Sequence, residues 1–590
     1  MGRSGVAPLP KWRQVRRRAL RRSPQLKAFL RSLMLNWTAR PNRQDRGYSA
    51  WAAGELAGKR IGTGPATSDP PVVSFVIVGG NEDSGGLALT LSSLAAQTHS
   101  GWEAIVAGAL DPAAAVADVR IRWLDSSASS TAVLANQALE LVDGTFVAFL
   151  SAGHWLWPDA VAAVRAAADE VADALFSDHD VRTTQGRHTT PTFKPGWNRE
   201  LLHSCDYVGP LVAMRTDLVR RLGGLNDFGT STADSWDLHL RLARETPRWV
   251  HLPQVLCSRP SAPAQAHDPG EREVVANDLA ARGHADAAFT RNLAFPSAWD
   301  LRYALRAEPL VSIVIPSKNQ LKLVRRCVES IYSRSSYRRF EVILMDTGSD
   351  DPDVLSWYDE MGARTSTFRL VSWPEQPFSY SRTCNEGARI AEGSILVMLN
   401  NDTEVISSDW IERLGAAAQR PEVGAVGCQL YFPGGRRVQH AGVGLGIEGV
   451  AGNLLSGVYP ALGLTRTQAL MLHTSHQLSA VTAACLAIRK DAFSSVGGFD
   501  ERLAVTFNDV DLCLRLQQAG LVNLYESRVQ LRHHESISVS ASRRSAGEAE
   551  VEAARDLMAR RWQRELTDDP MLNPNLSRED PFCRFQPRRR

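Results

Sequence analysis

Several features that would place a protein in a class at once are absent from this 590-residue sequence. No uninterrupted apolar run approaches the roughly 18 residues that a bilayer-spanning helix needs, because VVSFVIV and LSAVTAACLAI have the lengths of strands or buried core segments. The first apolar cluster is broken by arginines, which argues against a secretory signal. The eight cysteines form no CxxC pair, and no His-rich metal box occurs. We therefore expect reduced, buried thiols in a cytosolic protein rather than disulfides.

The net charge is small but unevenly distributed. The chain carries a formal charge of +3, and residues 1–60 contain fifteen Lys or Arg residues against Asp45 and Glu55. Within residues 11–37, apolar residues recur at helical spacing among the basic ones: Leu26, Phe29, Leu30, Leu33 and Met34. This segment predicts either a helix on the anionic inner face of the cell membrane or a helix packed on the protein body with a solvated basic face. We expect no nucleic-acid binding, because no aromatic platform or base-reading motif accompanies the charge.

The sequence contains two copies of one pattern. Each copy begins with an apolar segment whose serine precedes a glutamate by 29 positions, Ser74 to Glu103 in the first and Ser312 to Glu341 in the second. Further matches follow in the same order: GTFVAFLSAGHWL (144–156) with GSILVMLNNDTEV (393–405), and DSWDLHLRL (234–242) with NDVDLCLRL (508–516). In both copies strand-like runs alternate with helical patterns, which is typical of a mostly parallel sheet covered by helices. The sequence therefore predicts two tandem α/β domains.

Composition divides the chain into five segments. Gly/Pro-rich stretches at 61–71 and 258–272 predict linkers. We expect a basic N-terminal helical segment with a linker, a first α/β domain, a linker with a helix, a second α/β domain, and a C-terminal helix with a basic tail, at residues 1–70, 71–260, 261–308, 309–545 and 546–590.

Acidic and amide residues follow the predicted strands of the second copy. Asp346 follows EVILM, and Asp402 follows LVML after Asn400 and Asn401. Ligands of open parallel sheets bind beyond the carboxyl ends of the strands. These residues could therefore contact a nucleotide and the divalent cation on its diphosphate. Taken singly, each could equally be a helix cap or a turn.

The segment FNDVDLCLRL begins a helix in which Asp509 and Asp511 point to different faces. One could face a cleft while the other pairs with Arg515, or both could stabilise the helix N-terminus. His533 and His534 follow a strand-like run and could be metal ligands or surface residues.

Two further residues are candidates for an acceptor side of the same site. His440 in VQHAGVGLG and Trp373 before FSYS could line it, or they could be a loop histidine and a half-buried tryptophan.

In this order, the second copy's motifs resemble the family-2 glycosyltransferases of the GT-A fold, in particular bacterial enzymes of O-antigen and related surface-polysaccharide assembly, some of them rhamnosyltransferases. The motifs are SIVIPSKN, MDTGSDD, FSYSRTCNEGARIAEG, LNNDTEV, VTAACLAIRKDAFSSVGGFDE, FNDVDLCLRL and HHESIS. The resemblance is strong over residues 309–540 and degenerate over 70–260.

The resemblance implies a role for each matching residue. Ser317 and Asp346 would contact the donor's nucleotide, Asp402 would bind Mg²⁺ or Mn²⁺ on its diphosphate, and Asp509 would be the catalytic base. His533, or with less support His534, would be a further metal ligand.

The sequence departs from the family pattern in two places. Asn400, on the donor side, replaces the first acid of the Asp-X-Asp motif of many relatives, which puts metal dependence in doubt. Asn508 stands where many relatives have Glu, so that side chain cannot act as an acid.

The first copy lacks the acids of the second: Gly108 faces Asp346, Gly153 faces Asp402 and Ser235 faces Asp509. We expect this copy to be a scaffold, an acceptor-glycan platform or an interface. Its Asp178 and Asp180 leave open an active site of altered chemistry.

The resemblance therefore implies an inverting, metal-dependent glycosyltransferase in the cytoplasm, and residues 11–37 are the segment that could hold it peripherally on the inner face of the cell membrane. It would move a sugar from dTDP-rhamnose or a UDP- or GDP-sugar to a growing polysaccharide or lipid-linked glycan. A nucleotidyltransferase is an alternative, although PSKNQLK is a poor phosphate loop. A non-catalytic glycan-binding or scaffold protein is another, against which the survival of all three acids argues.

Overall fold

The computed structural model describes residues 41–58, 71–79, 84–108, 118–128, 130–168, 172–261, 269–374, 377–534 and 548–586. The basic segment 11–37 lies outside these residues, as do residues 61–70 of the first predicted linker and 262–268 of the second. The membrane-surface helix therefore stays a prediction. The ends of the second linker belong to regular elements, since one strand runs to Pro260 and a helix begins at Pro269.

The first unit is built on one nine-stranded sheet. The strand order is β3-β2-β1-β4-β8-β6-β9-β5, with β7 beside β6. β1 to β4 are mutually parallel, β8 is antiparallel to both neighbours, and β9 is parallel to β6. The strands are β1 (Val73–Val78), β2 (Trp102–Gly108), β3 (Ile121–Asp125), β4 (Phe146–Ser151), β5 (Trp155–Leu156), β6 (Ala174–Arg182), β7 (His188–Thr192), β8 (Val212–Arg215) and β9 (Trp249–Pro260).

Helices cover both faces of this sheet and bury two apolar clusters against it. They are α1 (Pro41–Ala57), α2 (Ser84–Ala95), α3 (Thr131–Leu139), α4 (Ala160–Ala167), α5 (Arg199–Ser204), α6 (Thr216–Arg221) and α7 (Ser231–Glu245). A connecting region follows, formed by α8 (Pro269–Ala281) and the hairpin of β10 (Ala288–Arg291) and β11 (Trp299–Arg302).

The second unit has a ten-stranded sheet of order β14-β13-β12-β15-β22-β17-β23-β16, with β18 beside β17 and β21 beside β23. A separate hairpin pairs β19 with β20. The strands are β12 (Val311–Ser317), β13 (Phe340–Asp346), β14 (Phe368–Ser372), β15 (Ile395–Leu399), β16 (Thr403–Val405), β17 (Val423–Tyr431), β18 (Val438–His440), β19 (Val443–Leu445), β20 (Ala451–Asn453), β21 (His476–Leu478), β22 (Cys485–Arg489) and β23 (Val522–His533).

The helices of the second unit again cover both faces of the sheet, over two further apolar clusters. They are α9 (Leu321–Arg334), α10 (Pro352–Arg364), α11 (Tyr380–Ile390), α12 (Trp410–Ala418), α13 (Arg466–His473), α14 (Lys490–Ser495), α15 (Asn508–Gln518), α16 (Glu548–Arg561) and α17 (Gln563–Thr567). Two short 3₁₀ turns occur at Ile447–Gly449 and Pro460–Leu462.

The two sheets share one strand order along their main path, from β3 to β5 and from β14 to β16. In both, a parallel half of four strands continues into a half that contains antiparallel strands. The predicted α/β class with two tandem units is confirmed.

The structure explains why the serine and the glutamate recur at the same spacing in both units. Ser312 and Glu341 are register partners on β12 and β13, and the Ser312 hydroxyl donates to the Glu341 carboxylate at 2.6 Å. Ser74 and Glu103 make the same contact at 2.5 Å. In each unit an arginine from the next strand also donates to the glutamate. The shared spacing therefore preserves a buried polar network that ties three neighbouring strands together.

The two units form one continuous body through a fifth apolar cluster, which also includes α1 and the segment after α17. Across this boundary, Arg420 donates from both terminal nitrogens to Glu200, at 2.9 and 2.8 Å. Asn573 from the C-terminal segment donates to both oxygens of Asp178 in the first unit.

The eight cysteines are all free and buried, as the sequence predicts. Among the helices that the structure describes, none combines the length and the apolar character needed to cross a bilayer.

Candidate functional site

A cleft of about 380 Å³ opens at one edge of the second sheet. Its lining includes the end of β12 at Pro316, the turn after β15 at Asn400 and Asn401, the end of β23 at His533, and the start of α15 at Asp509. Parallel strands β12 and β15 deliver their carboxyl ends to this edge, where open sheets hold ligands. These residues are spread over more than a hundred positions in the sequence, and the topology of the sheet brings them together.

Asp402 and His533 form a close pair behind the cleft. Asp402 is 1% exposed, and its Oδ1 lies 2.9 Å from Nε2 of His533. The other ring nitrogen, Nδ1, lies 3.1 Å from Oε1 of Gln439 and donates to it, which orients the ring with Nε2 toward Asp402. Adjacent ligands of an octahedral Mg²⁺ ion lie about 3 Å apart, because each sits about 2.1 Å from the metal. The spacing therefore fits two protein ligands of one divalent cation.

The amide side chain of Asn400 completes the protein side of this pair, with Nδ2 at 3.4 Å from Nε2 of His533. Within the described residues, no group of three or more His, Cys, Asp or Glu could hold a metal ion. A cation at this position would thus take its remaining ligands from water and from phosphate oxygens, as Mg²⁺ commonly does.

Asp509 reaches the cleft from the first turn of α15. The helix begins at Asn508, and the residue before it, Phe507, adopts the left-handed conformation with φ 63°. Oδ2 of Asp509 accepts from the backbone N–H of Ala483 at 3.0 Å, and Oδ1 accepts from Val510 N–H at 2.9 Å. Burial raises the pKa of Asp509 above its usual value, although these backbone donors partly oppose the rise. The half-buried carboxylate is oriented and suited to accept a proton.

Asp511, one of the candidate site residues, points away from the cleft into a different environment. It is fully buried and accepts from Arg515 at 2.8 Å, from Arg561 at 2.6 Å and from the Trp562 indole at 3.0 Å. Of the two interpretations of this acidic pair, the structure matches the one in which one acid faces a cleft and the other pairs with Arg515.

The predicted nucleotide residues lie on the adjacent strands. Ser317 and Asp346 are register partners at the ends of β12 and β13. Asp346 accepts from both the backbone N–H and the hydroxyl of Ser349, at 3.1 and 2.5 Å. Ser317 accepts from Tyr358 at 3.2 Å and from the Asn401 amide at 3.1 Å. Asn401 therefore links the nucleotide side of the edge to the turn that carries Asn400 and Asp402.

The remaining candidates separate clearly. His534 points to Glu404, with 3.0 Å between Nε2 and Oε2, so the structure places His533 and not His534 beside Asp402. His440 lines the cleft and is completely buried. Trp373 does not appear among the described residues that line the cleft, and its backbone N–H donates to the carbonyl of Asp346 at 2.7 Å. Trp373 is half-buried, which agrees with the second of its two interpretations, and its place on the acceptor side stays a prediction.

Sequence reasoning missed the contacts that orient these groups. Gln439 fixes the His533 ring, and the turn before β22 supplies Ala483 N–H to Asp509 and Ala484 C=O to the backbone of Asn400. Nothing in the local sequence marks these partners, because each contact joins segments far apart in the chain.

Among the described residues of the first unit, the two candidate acids Asp178 and Asp180 do not face an open cleft. Asp178 is completely buried and accepts from His251 at 2.9 Å and from Asn573. Asp180 is also completely buried and accepts from the Tyr48 hydroxyl at 2.7 Å. Both carboxyl groups are enclosed by protein, so they hold the boundary between α1, the first sheet and the C-terminal segment together.

Comparison with known proteins gives a family match over the second unit. The model of the family described as glycosyl transferase family 2 matches residues 312–497. The chain is 34% identical over 605 residues to the O-antigen biosynthesis protein RfbC of Myxococcus xanthus, covering 96% of this chain and 45% of that protein. It is 34% identical over 534 residues to the uncharacterized protein y4gI of Sinorhizobium fredii, covering 86% and 58%. The chain thus spans about half the length of these curated relatives.

A shorter match involves 58 residues that are 41% identical to an N-acetylglucosaminyl-diphospho-decaprenol L-rhamnosyltransferase of Mycobacterium tuberculosis, covering 10% of this chain and 19% of that protein. Among solved structures, GalNAc-T7 with UDP, GalNAc and Mn²⁺ is similar at 18% identity and a TM-score of 0.32, covering 41% of this chain and 45% of the other. The mannosyltransferase PcManGT of Pyrobaculum calidifontis, with GDP-Man and Mn²⁺, is similar at 15% identity and a TM-score of 0.31, covering 45% and 72%.

Proposed function

We propose that this chain transfers a sugar from a nucleotide-sugar donor to a growing cell-surface polysaccharide or lipid-linked glycan, a proposal supported by the match of residues 312–497 to the model of glycosyl transferase family 2. The observation that carries the proposal is the placement of Asp509 on the same cleft as His533, with Asp402 directly behind that histidine. Asp509 is available to accept a proton, and Asp402 lies beside the ring nitrogen of His533, the proposed second metal ligand.

In the proposed reaction, Asp509 accepts the proton of an acceptor hydroxyl as its oxygen attacks the anomeric carbon. The attack comes from the face opposite the diphosphate, so the configuration inverts, through a transition state of oxocarbenium character. A divalent cation held by Asp402 and His533 would stabilise the charge that develops on the leaving diphosphate. Ser317 and Asp346 would hold the nucleotide at the neighbouring strand ends.

The proposed donor is dTDP-rhamnose or a UDP- or GDP-sugar. The similarity to an O-antigen biosynthesis protein and to a rhamnosyltransferase supports a role in surface-polysaccharide assembly. We place the protein in the cytoplasm, with residues 11–37 as the segment that would meet the inner face of the membrane. The first unit would then act as a scaffold, an acceptor-glycan platform or an interface, because Asp178 and Asp180 are enclosed.

The central test is Asp509→Asn, assayed with a panel of nucleotide sugars and a lipid-linked acceptor. We expect transfer to fall by roughly 10²- to 10⁴-fold, because the amide cannot accept the proton. Donor affinity, measured by titration, should stay near that of the unmodified protein. Ser235→Ala, at the matching position of the first unit, is the control and should retain full transfer. Undiminished transfer by Asp509→Asn would remove the base assignment.

A further inference from the structure

His440 is a buried histidine of the cleft that the proposed reaction does not yet use. It ends β18, is completely inaccessible to solvent, and contributes to the cleft lining together with Asp509 and His533. Its Nδ1 lies 2.8 Å from Oδ1 of Asn453 on β20. Because a carboxamide oxygen can only accept, Nδ1 carries the proton and donates it to Asn453.

The second nitrogen of this ring has nothing to bind. Nε2 is buried, and no hydrogen-bond partner for it lies among the residues that the structure describes. Burial lowers the pKa of His440 to about 4, so the ring is neutral near neutral pH and Nε2 presents a lone pair. A buried acceptor without a donor is costly, and in native proteins it often marks a functional site.

The chemistry of that lone pair restricts its ligand. Ionised phosphate oxygens are acceptors only, so a diphosphate cannot pair with it. The described residues hold no cluster of three His, Cys, Asp or Glu with metal-binding geometry, so His440 does not join Asp402 and His533 around one cation. A donor group remains as the partner, and the donor groups of a neutral sugar are chiefly its hydroxyls.

The rest of the lining agrees with a sugar at this place. Phe378, Tyr380 and Phe507 line the same cleft, and aromatic faces pack well on sugar rings. Asn453, which orients the imidazole, also lines it. A pre-oriented acceptor in a cleft of about 380 Å³ is the kind of polar group that fixes the orientation of a ligand.

We propose that Nε2 of His440 accepts a hydrogen bond from one hydroxyl of the sugar that occupies this cleft during transfer, and that it selects against sugars lacking that hydroxyl. The inference rests on the proposed function, since it assigns a specificity-determining residue to the same site. The hydroxyl belongs either to the donor sugar or to the acceptor sugar, and the experiment separates the two.

The experiment measures kcat/KM for the parent donor and acceptor and for singly deoxygenated analogues of each. The unmodified protein should lose roughly 10- to 100-fold with one analogue, because that analogue leaves the buried nitrogen unpaired. If the sensitive analogue is a donor, His440 reads the donor sugar, and if it is an acceptor analogue, it reads the acceptor.

Two substitutions at the position then isolate the role. His440→Leu keeps much of the side-chain volume without an acceptor, so it should lower activity on the parent sugar and abolish the discrimination at that one hydroxyl. His440→Gln can place an amide oxygen near the site of Nε2 and should restore part of the discrimination. His476→Ala removes another buried histidine of the same unit that does not line the cleft, and it should leave the selectivity profile unchanged.

Asn453→Ala keeps the test decisive if His440→Leu fails to fold, because Asn453 is exposed and its loss should weaken the same discrimination by freeing the imidazole. An active protein with no sensitive hydroxyl, or with a profile that neither His440 variant alters, would overturn the role of His440 alone. Absence of transfer from every donor by the unmodified protein would instead overturn the proposed function and this inference with it.

Discussion

At the residue scale, two acids of one helical turn have different tasks. Asp509 faces the cleft, whereas Asp511 is enclosed by Arg515, Arg561 and Trp562. The first unit keeps the enclosed acid, since Asp237 accepts from Arg241 at 2.7 Å in the same way, but it has Ser235 in place of the cleft acid. What the two units share is therefore the set of polar contacts that holds the fold, and what differs is the group that faces the ligand.

The raised pKa of Asp509 predicts the acid limb of the pH profile. A general base works only when ionised, so kcat/KM should fall as the pH drops through a pKa that burial has raised above the ordinary value for Asp. The check is kcat/KM measured between about pH 4 and pH 8. Asp509→Asn should show a residual rate without this limb. An identical limb in that variant would assign the titration to another group.

If Asp402 and His533 hold the divalent cation, as proposed, then substitutions of the neighbouring residues His533 and His534 should affect donor affinity differently. His533→Ala should abolish the part of donor affinity that depends on Mn²⁺, because it removes the nitrogen beside Asp402. Gln439→Ala should weaken metal affinity by about 10- to 100-fold, because the His533 ring loses the partner that orients it. His534→Ala is the matched control, since that ring contacts Glu404. Titration of donor with and without Mn²⁺ decides, and equal affinities in both conditions for the unmodified protein would contradict the ligand assignment.

The family resemblance of the motifs was needed to single out Asp402, Asp509 and His533, because each residue taken alone could also be a turn, a helix-end acid or a surface histidine. It was insufficient for Asn401, Gln439 and Ala483, whose contacts join the ends of different strands. The contact of Trp373 with Asp346 could not be predicted for the same reason, because it depends on the pairing of β13 with β14, which local spacing does not reveal.

At the element scale, the turn between β21 and β22 sets the geometry of the site. Ala483 N–H binds Asp509, and Ala484 C=O accepts from the backbone of Asn400. One short turn thus positions both the proton acceptor and the residue beside the metal pair. Helix and strand alternation could be predicted from periodicity, whereas the antiparallel insertion of β22 between β15 and β17 could not.

The connection between α15 and α16 predicts a stability effect. Asp511→Ala should lower the free energy of unfolding by about 3–5 kcal/mol, because partly buried Arg515 and Arg561 lose the buried carboxylate that they share. Denaturant unfolding followed by tryptophan fluorescence measures the effect. Asp237→Ala is the counterpart in the first unit, where Arg241 and Asn226 are the partners, and it should cost less. Equal costs would show that the α16 contacts add nothing.

At the scale of the whole molecule, the two units are joined by a buried ion pair. Glu200 and Arg420 are each 8% exposed at the side chain and make a two-pronged contact. Tandem units could be predicted from the repeat in the sequence, but this interface could not, because its residues have no counterparts in the repeat. The sequence therefore predicts the number of units, and the structure shows how they contact each other.

Arg420→Ala should destabilise the folded protein by about 3–5 kcal/mol, because Glu200 is left buried without its partner. Burial raises the pKa of Glu200, but the charge and the hydrogen bonds of Arg420, together with the charges of Arg282 and His284, outweigh burial, so the pKa is lowered. The pair's contribution is therefore present above the unfolded-state pKa of glutamate and is lost as the pH falls through the folded-state pKa. The stability difference between the two proteins should shrink in acid, as thermal unfolding across pH would show.

Arg364→Ala is the control for that comparison. Arg364 pairs with Glu360 on the exposed side of α10, where an ion pair contributes about 0–1 kcal/mol. A cost for Arg420→Ala no larger than this would mean that the joint between the units does not depend on the ion pair.

The contact between Asp178 and Asn573 has a consequence for biosynthesis. The two residues are 395 positions apart, so Asp178 is synthesised long before Asn573, whose amide binds its carboxylate. A nascent chain can form the first sheet early, yet its buried acid must wait for the final stretch of translation. Completion of the N-terminal half is thereby a late event, timed by the opposite end of the polypeptide.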